Sequence, residues 1–377
     1  MTHSQNSAAA SRAKKPYRFF EKQLPGEAPV SFETAGQLYQ LAMAFLALEP
    51  WNFLGDEDLI LMKDAESGEI CYFSIMGALG EVFSFQVYVG AESFRLFRRI
   101  SSGKPLTAGD FFASLRGVSA EFVTASELTP PDRALLQAFG HPNQRGKRSP
   151  KFRAARPGYH PWYLTETEAR LLIGCLQGAL AFCRHESLDL ETECSDYWER
   201  EDVFPFLAPN PEDKTGKRFK LRLVQAPEPP LAAPRPAELD ERLMAELLRT
   251  DLPQQGSLEA DYFGTGARIG EGTSRQAALH MAIVADGDSG YAFQPELGEP
   301  GDSAGKLLAG ALLGAMRSVR CVPREVRVRR NEFKIPLSTL SERLGFAVRV
   351  TQSTPALNEL KRHFLKMIGD PGEISPQ

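Results

Sequence analysis

Six basic residues fall within a short stretch near the middle of the chain, where aromatic residues are interleaved with them. The basic residues are Arg145, Lys147, Arg148, Lys151, Arg153 and Arg156, and the aromatic residues are Phe152, Tyr159, Trp162 and Tyr163. Basic side chains neutralise phosphates and aromatic rings stack on bases, so the pattern suits weak, sequence-independent binding of single-stranded nucleic acid. The alternative is a solvated basic connector, because residues 141–156 are poor in apolar side chains.

A second basic feature lies on a predicted strand, residues 325–330, where Arg327 and Arg329 alternate with valines. Charges at alternate strand positions usually mark the solvent-facing side of a sheet. Further basic residues are close in sequence: Arg320, Arg324, Arg330 and Lys334. The strand face formed by Arg327 and Arg329 is therefore also a candidate docking surface for an acidic protein partner.

Acidic residues occupy a predicted tight turn within residues 279–291, LHMAIVADGDSGY. The alternation before the turn predicts a strand that ends at Asp286. Asp286 and Asp288 favour the turn itself, since aspartate side chains bond to backbone groups two residues further on. Residues 63–68, KDAESG, have the same turn chemistry, and hairpins reuse such turns often enough that we do not infer an internal duplication.

Motifs for other chemistry are incomplete. The stretch GDSAGK at residues 301–306 has three residues between its glycines, where a phosphate-binding loop needs four, and Leu307 follows the lysine. Ser303 is better explained as a helix N-cap. The glycines at 264, 266 and 270 suggest a flexible loop. The five cysteines include no CxxC pair, and we predict no metal and no cofactor.

The predicted elements indicate an α+β protein with several domains. Residues 1–15 are expected to be disordered, and residues 16–130 form an N-terminal domain with an antiparallel sheet and helices. The basic connector, residues 141–156, leads to a central helix with strands, residues 157–226. A proline-rich linker, residues 227–237, precedes a mixed α/β domain at residues 238–370.

Three segments together resemble bacterial proteins that pair two domains of unknown function. They are SIMGALGEVF at residues 74–83, RPGYHPW at 156–162 with Glu168 and Ala169, and ADGDSG at 285–290. The resemblance spans about residues 17–368. It implies a bacterial, cytoplasmic protein and brings no activity with it.

The C-terminal order of strands and helices is also similar to the ribonuclease-H-like superfamily. In that fold an aspartate on the first strand, with further carboxylates, holds two metal ions around a phosphate. The resemblance makes Asp286 a weak catalytic candidate, on the expectation that its strand is the first. The strand expected to supply the second carboxylate carries Arg327 and Arg329 instead, and these would repel a divalent cation.

Bulk properties place the chain among ordinary soluble proteins. It has 377 residues, 42% hydrophobic and 24% charged, with a net charge of -4. Its apolar runs are too short to span a bilayer, and the first sixteen residues lack the apolar core of a signal peptide. We therefore expect a cytoplasmic, non-membrane protein that acts as a non-catalytic binding or adaptor protein. The alternative is a divergent metal-dependent, nuclease-like hydrolase that handles phosphate groups and uses Asp286.

Overall fold

The computed structural model describes residues 26–103, 111, 114–140, 146–184, 188–190, 203–210, 218–225, 235–271 and 274–368. These residues form helices and two mixed sheets, which confirms the predicted α+β class. The predicted disordered segment 1–15, residue Arg145, and residues 227–234 of the predicted linker lie outside the described residues.

The first sheet has eight strands in the order β5-β4-β3-β2-β1-β7-β8-β6. The strands are β1 (Ile60–Lys63), β2 (Ile70–Met76), β3 (Ser84–Val89), β4 (Gly117–Val123), β5 (Ser149–Ala155), β6 (Leu188–Leu190), β7 (Val203–Pro209) and β8 (Phe219–Gln225). Strands β1 to β5 pair antiparallel with one another, whereas β7 pairs parallel to β1. The regions predicted as an N-terminal domain and a central segment therefore share one sheet.

The basic connector differs from its prediction. Residues 149–155 form strand β5, which pairs with β4 over the register from Ser149 to Ala155. The segment was interpreted as a connector because it is basic and poor in apolar residues. Lys151 and Arg153 are half-buried, whereas Phe152 and Ala154, which alternate with them, are buried in the core. The alternation is that of a strand with one apolar face.

Helices cover both faces of this sheet. They are α1 (Phe32–Leu48), α2 (Gly90–Ser101), α3 (Pro130–Ala138) and α4 (Glu166–Arg184). Helices α1 and α4 bury Phe45 and Leu172 in one core, where the Phe45 ring lies 5.1 Å from that of Phe85. On the opposite face, α2 stacks Phe94 on Tyr72 with ring centroids 4.3 Å apart. Aromatic pairs of this kind add to the stabilisation from buried area.

Several helices that cover the first sheet begin at capping residues. The Ser31 side chain accepts a hydrogen bond from the backbone of Thr34 at the start of α1. Thr165 and Glu168 form the reciprocal bonds of a capping box before α4. Helix α3 begins at a proline directly after its capping residue, Thr129.

The second sheet has five strands in the order β11-β10-β9-β12-β13. The strands are β9 (Ser257–Ile269), β10 (Ala277–Asp286), β11 (Glu296–Gly298), β12 (Glu325–Val328) and β13 (Ala347–Val350). Strands β9, β10 and β11 pair antiparallel, whereas β12 and β13 run parallel to β9. The long strand β9 was missed, because Gly264 and Gly266 had been interpreted as part of a flexible loop. That interpretation is wrong, since both glycines lie within β9.

The helices of this region divide between the two faces of the second sheet. They are α5 (Glu241–Arg249), α6 (Ala304–Val319), α7 (Ser338–Leu344) and α8 (Pro355–Ile368). Helix α6 begins at Ser303, whose hydroxyl accepts a hydrogen bond from the amide of Lys306, as predicted for an N-cap. The cluster that includes α6 buries Ala260 and Val326, whereas α8 packs Leu357 against Ile283 on the opposite face.

Candidate functional site

Two buried carboxylates lie on strand β9 in the middle of the second sheet. The side chain of Asp261 is 6% exposed, and Glu259 is fully buried. The two residues alternate with buried Leu258 and Ala260, so both point to the face that α8 covers. Buried carboxylates without compensating charge are costly, and their partners decide what the site can do.

Asp261 is neutralised by two cations of the same chain. Lys361, on α8, donates to Asp261 Oδ2, and the Arg330 guanidinium, just after β12, lies 3.4 Å from Asp261 Oδ1. The amide of Tyr262 donates to the same Oδ1 at 2.8 Å. Asp261 therefore ties together β9, the end of β12 and helix α8.

Glu259 meets the start of α8 rather than a side-chain cation. Its Oε2 accepts a hydrogen bond of 3.1 Å from the backbone amide of Leu357, in the first turn of the helix. A carboxylate in this position also benefits from the positive end of the helix dipole. Arg327 lies beside Glu259 in the parallel register of β12 with β9. Its guanidinium pairs with Glu325 at 2.7 Å.

The two cations of this cluster both serve Asp261. Lys361 and Arg330 neutralise its carboxylate, whereas Glu259 is held by the backbone amide of Leu357. Arg330 also pairs with Glu332 at 3.3 Å. Among the described residues, no group of three or more His, Cys, Asp or Glu side chains is arranged to hold a metal. The cluster is suited to holding elements of the sheet together.

Asp286, the catalytic candidate from the sequence, occupies a different place from the one expected. It ends β10, the second strand of this sheet, because β9 precedes it. Its Oδ1 accepts bonds from the amide of Ser289 at 2.7 Å, the Ser289 hydroxyl at 2.7 Å and the amide of Asp288 at 3.2 Å. The two bonds from Ser289, with that of Asp288, lower the pKa of Asp286.

The side chain of Asp286 therefore stabilises the turn. Turn formation was the simpler of the two roles considered from the sequence, the other being catalysis. Asp64 makes the same bonds in the first sheet, accepting from the amide and the hydroxyl of Ser67 at 2.7 Å each. The arginines of β12 are not adjacent to Asp286 in the sheet, since β9 lies between β10 and β12.

The six basic residues of the predicted connector lie within the described residues except for Arg145, and most of the others are bound to protein groups. Arg153 pairs with Asp132 at 2.8 Å, and Lys151 pairs with Glu121 at 2.7 Å. Arg148 stacks on the ring of Phe83 at 3.8 Å. Arg156 pairs with Glu27 and Glu168, whereas Lys147 is exposed. Nucleic-acid binding by this segment stays a prediction, with fewer available cations than the sequence suggested.

The pair of Arg153 and Asp132 is the most buried of these contacts. Burial alone would raise the pKa of Asp132, but the hydrogen bonds and charge of Arg153, with the bonds of Thr129, outweigh it and lower the pKa. The Arg153 guanidinium also lies 4.5 Å from the ring of Tyr163. This arginine fixes α3 against β5.

The second predicted surface, Arg327 and Arg329, is partly neutralised. Glu325 binds both Arg327 and Arg349, at 2.7 and 2.8 Å, and Arg329 is exposed. Arg327 lies on β12, and Arg329 follows directly after the strand ends at Val328. Binding of an acidic partner there stays a prediction.

The RPGYHPW segment, residues 156–162, forms the junction between the domain of the first sheet and the domain of the second sheet. Tyr159 pairs with Ala277 as an isolated bridge, and the amide of His160 donates to Gln276 O at 2.9 Å. Arg275 reaches across with a side chain that is 0% exposed, lying 3.3 Å from Ala154 O and 3.5 Å from Glu168 Oε2. Burial lowers the pKa of Arg275 to about 10, although Glu168 opposes the shift.

A cleft of about 840 Å³ lies next to this junction, at the end of the first sheet where β3, β4 and β5 meet the β1–β2 turn. Its charged side chains largely pair with one another. Arg116 binds Glu69 through two bonds of 2.6 and 2.8 Å, and Arg156 binds Glu168 at 2.6 Å. The cleft is therefore a less specific candidate than the β9 cluster.

Sequence reasoning missed Glu259 and Asp261 because it did not recognise β9 as a strand. A signal was available, since Leu258, Ala260 and Tyr262 alternate with Glu259, Asp261 and Phe263. The partners of these carboxylates could not be found from sequence, because Lys361 lies 100 positions from Asp261.

None of the helices in the described part of the chain has the length and hydrophobicity that a bilayer crossing requires. Residues 36–198 match the family model described as a domain of unknown function (DUF7309), and residues 244–365 match that of another (DUF6930). No curated protein matches the chain. The pairing expected from the sequence is confirmed, and the chain carries these two domains of unknown function in tandem.

Proposed function

We propose that this protein is a non-catalytic binding or adaptor protein. The observation that carries the proposal is the pairing of Asp261 with Lys361 and Arg330. A metal-dependent hydrolase needs carboxylates that are available to a divalent ion. Here Asp261, the buried aspartate of the central strand, pairs with Lys361 and Arg330. These two cations neutralise the carboxylate in place of a metal ion.

The rival function is a metal-dependent hydrolase with a phosphate substrate, using Asp286. Two features weigh against it. The acceptor oxygen Oδ1 of Asp286 is engaged by the turn that follows it. Glu259 and Asp261 point to the face covered by α8, whereas Asp286 lies at the end of the neighbouring strand, where it pairs in register with Leu258.

Hydrolysis of bis(p-nitrophenyl) phosphate and of a labelled single-stranded DNA, with Mg²⁺ or Mn²⁺, tests the proposal. We expect equal background rates for the wild type, Asp261→Asn and Asp286→Asn. Far-ultraviolet circular dichroism checks that each variant is folded. Metal-dependent hydrolysis that disappears in either folded variant would overturn the non-catalytic assignment and identify the carboxylate responsible.

A further inference from the structure

The loop between β2 and β3 displays apolar side chains to solvent. Leu79 is 85% exposed and Val82 is 39% exposed. Phe53, in the segment that follows α1, is 54% exposed. Single exposed apolar residues are common, but Leu79 and Val82 line one depression together.

Packing beneath the loop fixes it to the segment that carries Phe53. Gly77 has a φ of 146°, and a Cβ added there would lie 2.8 Å from Trp51 and 2.9 Å from Phe83. The Trp51 and Phe83 rings are in edge contact at 4.9 Å. In addition, the Ser74 hydroxyl donates to Asp56 O at 2.6 Å. The loop is therefore anchored by its glycine, and its apolar side chains point away from the core that anchors it.

Two acidic residues lie beside Leu79 and Val82. Asp56 and Glu81 line a shallow depression together with Leu79 and Val82, and Glu57 follows Asp56 in the chain. All three carboxylate residues are exposed, and within the described residues no ion pair with a cation is seen for any of them. The nearby cation Arg148 is engaged by the Phe83 ring and by Phe122 O.

We propose that this surface, formed by Leu79 and Val82 with the acidic rim of Asp56 and Glu81, binds a cationic amphipathic segment of a partner protein. The inference rests on the proposed function, for which it names the partner class. Apolar side chains of such a segment would cover Leu79, and its lysines or arginines would meet the rim carboxylates. A second copy of the chain is a poor partner, because the rim carboxylates of the two copies would face and repel each other.

Three synthetic peptides of 18 residues, labelled with fluorescein, test the surface by fluorescence anisotropy with the full-length protein. The first has leucine along one helical face and lysine elsewhere. The second has the same composition in scrambled order, and the third replaces each lysine with glutamate. We expect micromolar binding of the first peptide, weaker binding of the scrambled peptide and none of the acidic peptide.

Matched variants locate the site. Leu79→Ser is expected to weaken binding of the first peptide about tenfold or more, because the peptide no longer covers a leucine side chain. Leu297→Ser is the control, since Leu297 is 57% exposed on β11 of the other domain and should leave binding unchanged. Glu81→Gln is expected to weaken binding at low salt and to have less effect at high salt.

Equal affinities of the Leu79→Ser and Leu297→Ser variants would overturn the proposal, and so would equal binding of the amphipathic and scrambled peptides. Tighter binding of the acidic peptide would overturn the assignment of partner charge. These outcomes are separate from those of the hydrolysis assay. Metal-dependent hydrolysis would refute the non-catalytic function while leaving the peptide result as it stands.

Discussion

Replacing Asp261 by asparagine removes the negative charge that holds Lys361 and Arg330 in the second sheet. Removing one partner of a buried ion pair costs about 3–5 kcal/mol. The side chains of Lys361 and Arg330 remain 23% and 32% exposed, so water can partly solvate them after the change. We therefore expect the lower end, about 3 kcal/mol of unfolding free energy. The control Asp288→Asn changes an exposed turn residue and should stay within about 0.5 kcal/mol.

The measurement needs a signal from the C-terminal domain. The three tryptophans, at positions 51, 162 and 198, all precede it, so hydrogen–deuterium exchange of the β9 and β10 amides is the appropriate assay. A loss of about 3 kcal/mol corresponds to roughly a 100-fold fall in protection where exchange requires unfolding of the domain. Protection in Asp261→Asn equal to that in Asp288→Asn would refute the argument that the internal cations depend on Asp261.

Four further predictions concern the other contacts. Arg153→Ala should destabilise the N-terminal domain by about 3 kcal/mol in urea unfolding followed by tryptophan fluorescence, because it leaves Asp132 buried without its cation. The folded pKa of Asp132 is depressed, so its contribution is present above its unfolded pKa of about 3.9 and is lost as pH falls through the folded value. Asp132→Asn should flatten that acid dependence. Arg275→Met should increase proteolysis at the domain junction, since it removes the buried guanidinium that joins the domains, and unchanged cleavage would contradict this role. Asp286→Asn should cost no more than about 1 kcal/mol, because the asparagine oxygen can accept the same turn bonds, and a loss above 3 kcal/mol would contradict the turn assignment.

Local signals in the sequence predicted much of the fold. Ser31, Thr165 and Ser303 mark helix starts through hydrogen bonds to residues three positions away, so sequence reasoning finds them. The turn at Asp286 was predicted for the same reason, since its bonds lie within three residues. The assignment of this turn to the first strand was wrong, because the preceding strand, β9, carries glycines that resemble a loop.

The candidate site could not be predicted because its contacts connect distant parts of the chain. Asp261 meets Arg330 and Lys361, which lie 69 and 100 positions away. The same limitation affected strand β5, where Arg153 finds Asp132 on a separate helix. Charged residues at alternate positions look like a solvated connector when their partners cannot be seen.

Lys361 and Arg330 neutralise Asp261 in place of a metal ion. The most direct test of this neutralisation is calorimetric titration of Mn²⁺ into the wild type and into a variant with Lys361→Met and Arg330→Met. Removing both cations leaves Glu259 and Asp261 with two uncompensated negative charges, so the variant should gain Mn²⁺ binding that the wild type lacks. Lys366→Met, an exposed lysine of the same helix, is the matched control and should behave as the wild type. Submillimolar Mn²⁺ binding by the wild type that is lost in Asp261→Asn would contradict the account.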